Sequence, residues 1–332
     1  MPTSKEMTDL IDSQRALAVD FQNAAANQNN KIEGKTLLVT GGASGFGETF
    51  VTTFAKSPGC AAIIADFDKI KGEELEKTLL DAGLQVKFIQ VDVTDWASVT
   101  NLMRESLIWL RALGQDRKID HVICSAGVAG AELDLSPVNP EGFLQHDQTA
   151  PKAPDLRSIQ ISIVGSLYTV AAVQKFAMGL HRPDSEVGDK SITLVASMAG
   201  YTGFTLQSDY ASSKWGVRGL FRSLLNDQTC TTCPVRINLL APYFVDTPLS
   251  AHLVPKLQEV GVKLAEISDV RDAALRLICD ESIHGRAVGI WEGGPVDLGD
   301  DLGGDYGSHV IRSKFDEGAM LRSMAQVSKR RL

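Results

Sequence analysis

The chain has 332 residues, 44% hydrophobic and 22% charged, which supplies the core of one large α/β domain or two small ones and the balance of an ordinary globular protein. A net charge of -8 argues against a nucleic-acid partner, and the basic ending Ser328-Lys329-Arg330-Arg331-Leu332 is too short to overturn that. No run approaches the ~18 apolar residues of a membrane-spanning helix, the first residues lack the apolar core of a secretory signal, and five cysteines form no disulfide framework, so the expectation is a cytoplasmic protein without a membrane partner.

Residues 1–33 read as a polar arm. Helical character over 16–26 is weakened by Asn23 and the Asn27-Gln28-Asn29-Asn30 cluster. The pattern then changes. Lys35-Thr36-Leu37-Leu38-Val39-Thr40 is an apolar run of strand length that enters Gly41-Gly42-Ala43-Ser44-Gly45-Phe46-Gly47, and a helix is expected over 48–56. Strand, glycine turn and helix in that order present helix N-terminal amides to a pyrophosphate. The second strand, Ala61 to Ala65, ends at Asp66. An acidic residue about 20 positions after such a loop accepts from the adenosine ribose and repels a 2′-phosphate. No Lys or Arg stands in the loop, so NAD is favoured and NADP is the alternative; Asp68 is the rival for the ribose.

The alternation continues with a helix over 70–82, a strand over 85–91, and Asp92-Val93. Thr94-Asp95 start a helix through Leu113, and a strand over 119–124 ends in Ser125-Ala126-Gly127. This rhythm predicts an α/β fold, a single doubly wound Rossmann-type parallel sheet with helices on both faces and ligands at the carboxyl ends of its strands. Residues 128–155, with Pro137, Pro140, Pro151 and Pro154, are too long for an ordinary βα loop and read as a substrate rim. Pro154-Asp155 open a helix to about Leu180. A strand over 191–196 delivers Ser197, and a helix reaching Gln228 carries Tyr210 and Lys214.

Tyr210 and Lys214, four apart on a helix, share a face. A phenol ionises near pH ~10, and a neighbouring ammonium is expected to lower that value. Ser197, from a strand end, meets the same substrate oxygen. A strand over 235–240 leads to Pro242, and 243–267 read as a second substrate segment, with 248–267 as a mobile lid. Ser268-Asp269 read as the cap of a helix over 269–280, and 287–291 as the last strand. The lone Cys230-Thr231-Thr232-Cys233 lacks the second pair of a zinc site, and the Asp-rich run 300–307 lacks EF-hand spacing, so no metal is expected. Residues 300–332 form a tail.

In these motifs the chain resembles the short-chain dehydrogenase/reductase family, from about Gly34 to Gly299. The family's TGxxxGxG loop is Thr40 to Gly47, its Asp-Val is Asp92-Val93, its NNAG is altered to Cys124-Ser125-Ala126-Gly127, its serine is Ser197, its YxxxK is Tyr210 and Lys214, and its PGxVxT is Pro242 to Thr247. Within the family the chain is similar to fungal NAD-type alcohol dehydrogenases of secondary metabolism and to 15-hydroxyprostaglandin dehydrogenase-like proteins. The resemblance implies that Gly41, Ser44, Gly45, Phe46, Gly47, Asp66, Asp92, Val93, Ser125, Ala126, Gly127, Tyr210, Lys214, Pro242, Val245 and Thr247 surround the dinucleotide. It gives Asp92 the adenine amino group and Thr247 the nicotinamide carboxamide, and it makes Ser197, Tyr210 and Lys214 catalytic. Two departures stand out. Ser162 replaces the asparagine that holds a helix kink and a relay water in the family, and Tyr243 replaces a glycine.

The implied activity is NAD(P)-dependent interconversion of a secondary alcohol and a ketone on a small, apolar molecule, by a homodimer or homotetramer with the Ser162 and Tyr210 helices at the contact. The alternatives are an isomerase, dehydratase or cyclase on the same scaffold, and a non-enzymatic, cofactor-sensing interaction protein.

Overall fold

The computed structural model describes residues 32–114, 118–131, 153–180, 188–202, 207–230, 235–259 and 261–299, with Val19, Phe21 and scattered positions between 133 and 144. The Asp-rich run, the tail, Cys233 and most of the arm and of 128–155 lie outside the described residues.

β1 (Thr36–Thr40), β2 (Ala61–Asp66), β3 (Gln85–Gln90), β4 (His121–Cys124), β5 (Lys190–Val195), β6 (Val235–Pro242), β7 (Ala287–Trp291) and β8 (Gly294–Asp297) form one sheet in the order β3-β2-β1-β4-β5-β6-β7-β8. The first seven strands are parallel, and β8 returns antiparallel to β7. Continuous apolar runs such as Thr36–Thr40 are buried along their whole length because both faces of a parallel sheet are covered. Alternate residues enter different cores. Leu37, Val39, Ala62 and Ile64 meet α1 (Gly45–Ala55), α2 (Lys69–Asp81) and α7 (Ile267–Cys279) through Phe50, Phe54, Leu79, Val270 and Leu277. Leu38, Ile63 and Val122 meet α3 (Trp96–Ala112), the helical run α4 (157–177) and α5 (Ser208–Cys230) through Leu102, Leu110, Val173 and Phe221. The short α6 (Val254–Glu259) lies in the lid segment.

Several boundaries differ from the sequence expectations. α1 begins at Gly45, inside the glycine loop, because Ser44 is extended and serves as N-cap. α7 begins at Ile267 after an extended Glu266, so Ser268-Asp269 belong to its first turn and are not its cap. α4 is not a uniform α-helix: Gln160–Val164 and Val173–Ala177 are π-helical. Trp291 does not end the sheet. The pairing of Trp291 with Gly294 makes Glu292-Gly293 a two-residue hairpin turn, with Gly293 at φ 90°. Pro295 is tolerated in β8 because that strand is the edge.

Two buried ion pairs fix the far end of the sheet. Arg236 on β6 donates from Nε and Nη2 to Asp189, both at 2.7 Å. Its remaining N–H groups reach the carbonyls of Leu277, Ile278, Asp280 and Ile283, closing the carbonyl end of α7 that a helix otherwise leaves open. Arg286 pairs with Asp297, and Asp297 Oδ2 also accepts from Val19 N–H at 2.7 Å. Val19 and Phe21 pack against the first core. Replacing Arg236 strands a half-buried carboxylate and four carbonyls. Arg236→Leu is expected to lower the unfolding free energy by about 3–5 kcal/mol, read as a fall in the denaturant midpoint; an unchanged midpoint overturns this reading.

Candidate active site

The strand order reverses at β1, whose neighbours β2 and β4 lead away in opposite directions, so the crevice for a ligand opens at the carboxyl ends of β1 and β4. Gly41 and Gly45 have φ of 67° and 54°, a region open to glycine at little cost. A Cβ on Gly41 would stand 2.8 Å from Ala126 Cα, and one on Gly47 would overlap the Gly41 carbonyl oxygen. The Thr40 carbonyl accepts from Ser125 N–H at 3.1 Å. Thus the glycine loop and Ser125-Ala126-Gly127 are pressed together above β1 and β4. Loop, helix start and strand ends form a cradle that side chains would fill, and these residues fit the diphosphate of a dinucleotide.

Asp66 and Asp68 separate cleanly. Asp68 is the N-cap of α2 and accepts from Lys71 N–H. Asp66 instead accepts from Ala43 N–H at 2.9 Å and Asp68 N–H at 3.0 Å, tying the end of β2 to the glycine loop. The nearby lysines point elsewhere, Lys69 to Glu73 at 3.7 Å and Lys71 to Asp68 at 3.3 Å. Asp92 Oδ1 accepts from both the N–H and the hydroxyl of Thr94. Val93 touches α4 so closely that a Cβ on Gly165 would stand 2.6 Å from Val93 Cγ2.

Ser197 follows β5 and caps a short 3₁₀ turn, Met198–Gly200; its Oγ accepts from Ala199 N–H at 3.1 Å and donates to the Pro242 carbonyl at 3.3 Å. Tyr210 stands in the first turn of α5, and Lys214 one turn on. Lys214 is 5% exposed. Its Nζ donates to the Val195 carbonyl at 3.1 Å and lies 5.5 Å from the centre of the Tyr210 ring. Ser162 sits in the first π-helical turn of α4, buried and without a hydrogen-bond partner among the described residues. Gly127 borders both Ser162 and Lys214: a Cβ there would be 3.8 Å from Ser162 Oγ and 3.6 Å from Lys214 Nζ.

Ser197, Tyr210, Phe46, Pro242, Val245 and Thr247 line one cleft of about 760 Å3, its open mouth included, together with Gln207, Tyr243, Phe244, Leu249, His252 and Leu253. The ring of Tyr243, where the family has glycine, packs edge-on to Phe244 with centres 4.7 Å apart. The lid segment contributes Leu249 and Leu253 to this wall. Two positioning groups escaped the sequence analysis. Ser250 Oγ donates to the Val245 carbonyl, accepts from Thr247 N–H at 3.1 Å, and lies 3.0 Å from the Thr247 hydroxyl. Asp209 accepts from the backbone on both sides of the cleft mouth. Ser250 was readable from Thr247-Pro248-Leu249-Ser250, a spacing that allows a hydroxyl to serve its neighbours' backbone, and Asp209 from an acid at a helix start.

The expected lowering of the Tyr210 pKa is reversed: burial pushes the phenol up, and a hydrogen bond with Ser197 opposes this. Burial likewise pulls Lys214 from its ordinary 10.5 to about 8. The folded chain therefore releases this proton near pH 8 while the unfolded chain keeps it to about 10.5. Between those values the unfolded state binds more protons, and stability rises with pH. The burial penalty, about 3 kcal/mol at pH 7, is removed in Lys214→Met. The variant is expected to be more stable than wild type at pH 7, with the gap shrinking toward pH 10 in paired denaturant melts; a gap that does not change with pH overturns this assignment.

The sequence profile of the short chain dehydrogenases matches residues 35–258. The chain is 34% identical to 5'-hydroxyaverantin dehydrogenase of Dothistroma septosporum over 85% of its own length and 92% of that protein's. It is 30% identical to NADP-dependent dehydrogenase M3 of a Phoma species, over 77% and 74% of the two chains. In fold it is similar to 3-ketoacyl-(acyl-carrier-protein) reductase from Brucella melitensis, with a TM-score of 0.62, 22% identity, and 78% and 97% of the chains covered. With a doubly wound sheet, a glycine cradle at its switch point and a profile match over most of the sheet, the chain belongs to the short-chain dehydrogenase/reductase family and is an NAD(P)-dependent oxidoreductase.

Proposed function

We propose that the protein interconverts a secondary alcohol and a ketone on a small, largely apolar molecule, with NAD as the preferred cofactor. The observation that carries this is the convergence of Ser197 and Tyr210 on one cleft with the buried Lys214 behind the Tyr210 ring. The bound nicotinamide would supply the hydride acceptor or donor, held by the glycine loop, Asp66, Asp92, Ser125 to Gly127, Lys214 and Thr247. The chain moves the proton. In oxidation Tyr210, as phenolate, takes the hydroxyl proton of the substrate; in reduction it returns one. Burial makes Tyr210 a reluctant acid, so the positive charge of Lys214 and the hydroxyl of Ser197 serve to stabilise the phenolate and the charge developing on the substrate oxygen. Lys214, with its pKa at about 8, keeps that charge at neutral pH.

Ser162 is read as the inner end of the proton relay. A buried hydroxyl without a partner among the described residues is the place for an ordered water, and Gly127 borders both it and Lys214. The π-helical turn at Ser162 supports this role, since such turns gather at functional sites. Exposed Leu167, Phe176 and Trp215 on α4 and α5 support a homodimer or homotetramer through those helices. Among the described residues no helix is long and apolar enough to cross a membrane.

Tyr210→Phe is expected to abolish turnover of secondary alcohols or ketones, by roughly 10³-fold or more, while NADH binding followed by nicotinamide fluorescence is retained; substantial turnover by the variant would remove Tyr210 from its role. In the same titration NADH is expected to bind at least about ten-fold tighter than NADPH, because Asp66 repels a 2′-phosphate, and Asp66→Ala narrows the gap. Tighter binding of NADPH to the wild type would overturn the NAD preference.

A further inference from the structure

Asp209 joins the segment after β4 to the first turn of α5. Its Oδ1 accepts from the N–H of Tyr210 at 2.7 Å, one of the early helix amides without an intrahelical acceptor. Its Oδ2 accepts from the N–H of Ala131 at 2.9 Å. Among the described residues this is the hydrogen bond that holds the segment 128–131. Gly130 lies in the angle between them: a Cβ there would collide with the Asp209 carboxylate and stand 2.6 Å from Tyr210 Cβ. Ala129 and Gly130 also line the cleft. The segment beginning at Ser125 thus runs from Gly127, beside Lys214, to Ala131, fastened beside Tyr210. One carboxylate sets how closely that rim approaches the catalytic helix.

We propose that Asp209 is a positioning residue for the substrate. It latches the rim 129–131 to the first turn of α5 and so fixes the width of the cleft above Tyr210. The inference rests on the reading of this cleft as the substrate site. A carboxylate in a first helical turn is favourable with the helix dipole in any case, and that alone predicts a change in stability without a change in substrate binding. The bond to Ala131 predicts more. Losing it frees the rim, weakens substrate binding, and leaves the dinucleotide cradle on the other side of Tyr210 as it was.

The test compares wild type, Asp209→Ala, Asp209→Asn and Gly130→Ala. Amide hydrogen exchange is read on a peptide spanning 128–131, and steady-state reduction of 9,10-phenanthrenequinone is measured with NADH. Asp209→Ala is expected to speed exchange at Ala131 and to raise KM for the quinone, each by about five- to ten-fold, the weight of one hydrogen bond, with the Kd for NADH unchanged within about two-fold. Asp209→Asn keeps one accepting oxygen but sets its NH2 against the other backbone N–H, so both readouts are expected to recover only in part. Gly130→Ala raises KM in the wild-type background and by less when Asp209 is already Ala, since the two share a contact. An Ala131 amide that stays protected in Asp209→Ala overturns the latch. So does an unchanged KM with kcat falling only as thermal stability falls. If the wild type reduces no quinone, the reading of the cleft as a carbonyl site fails separately, and the exchange measurement still decides whether the latch exists.

Discussion

The rest of the site is built around a cation in the wrong place. An ammonium at 5% exposure is held against its own desolvation, and a buried charge persists only where its surroundings compensate it. Here β5 ends so that the Val195 carbonyl points at Nζ, and the 3₁₀ turn after Ser197 packs so tightly that a Cβ on Gly200 would stand 2.8 Å from the Lys214 carbonyl oxygen. Arg218, one turn further along α5, donates to the Gly200 carbonyl at 3.1 Å. These contacts lock α5 against the strand that delivers Ser197, so the buried ammonium is tied to the element that sets where the Ser197 hydroxyl stands.

Much of this was legible in the sequence because it is local. A strand, a glycine turn and a helix occupy adjacent residues, and the acid at the end of β2 follows at a fixed distance. Tyr210 and Lys214 share a helix face by arithmetic. Even the competition between Asp66 and Asp68 was visible, although only the structure shows Asp68 occupied as a helix cap. What escaped depends on contacts between distant segments. Ala131 and Asp209 are 78 positions apart, and no pattern in either segment announces the other. The shift of Tyr210 escaped for another reason. Spacing reveals that an ammonium is near, but the opposing penalty comes from how much protein surrounds the phenol, which is a property of the packed core.

Two substitutions against the family pattern reshape the site without changing its plan. Serine at 162 leaves a small hydroxyl where the family has a longer amide, and the helix still adopts a π-helical turn there, so the distortion does not require asparagine. Tyrosine at 243 adds a ring to the cleft wall beside Phe244. With Phe46, Leu249 and Leu253 it adds apolar surface to the cleft, whose lining also includes the polar side chains of Gln207 and His252. Neither departure displaces Ser197 or Tyr210, which line the same cleft as Tyr243.

The bond between Val19 and Asp297 spans 278 positions, yet it joins neighbours in space at the edge strand. An edge strand carries a row of backbone groups open to pairing. A single carboxylate there accepts from Arg286 of the sheet and from the N–H of Val19. The polypeptide is thus closed on itself without a covalent bond, with Val19 fastened to the strand on which its sheet finishes.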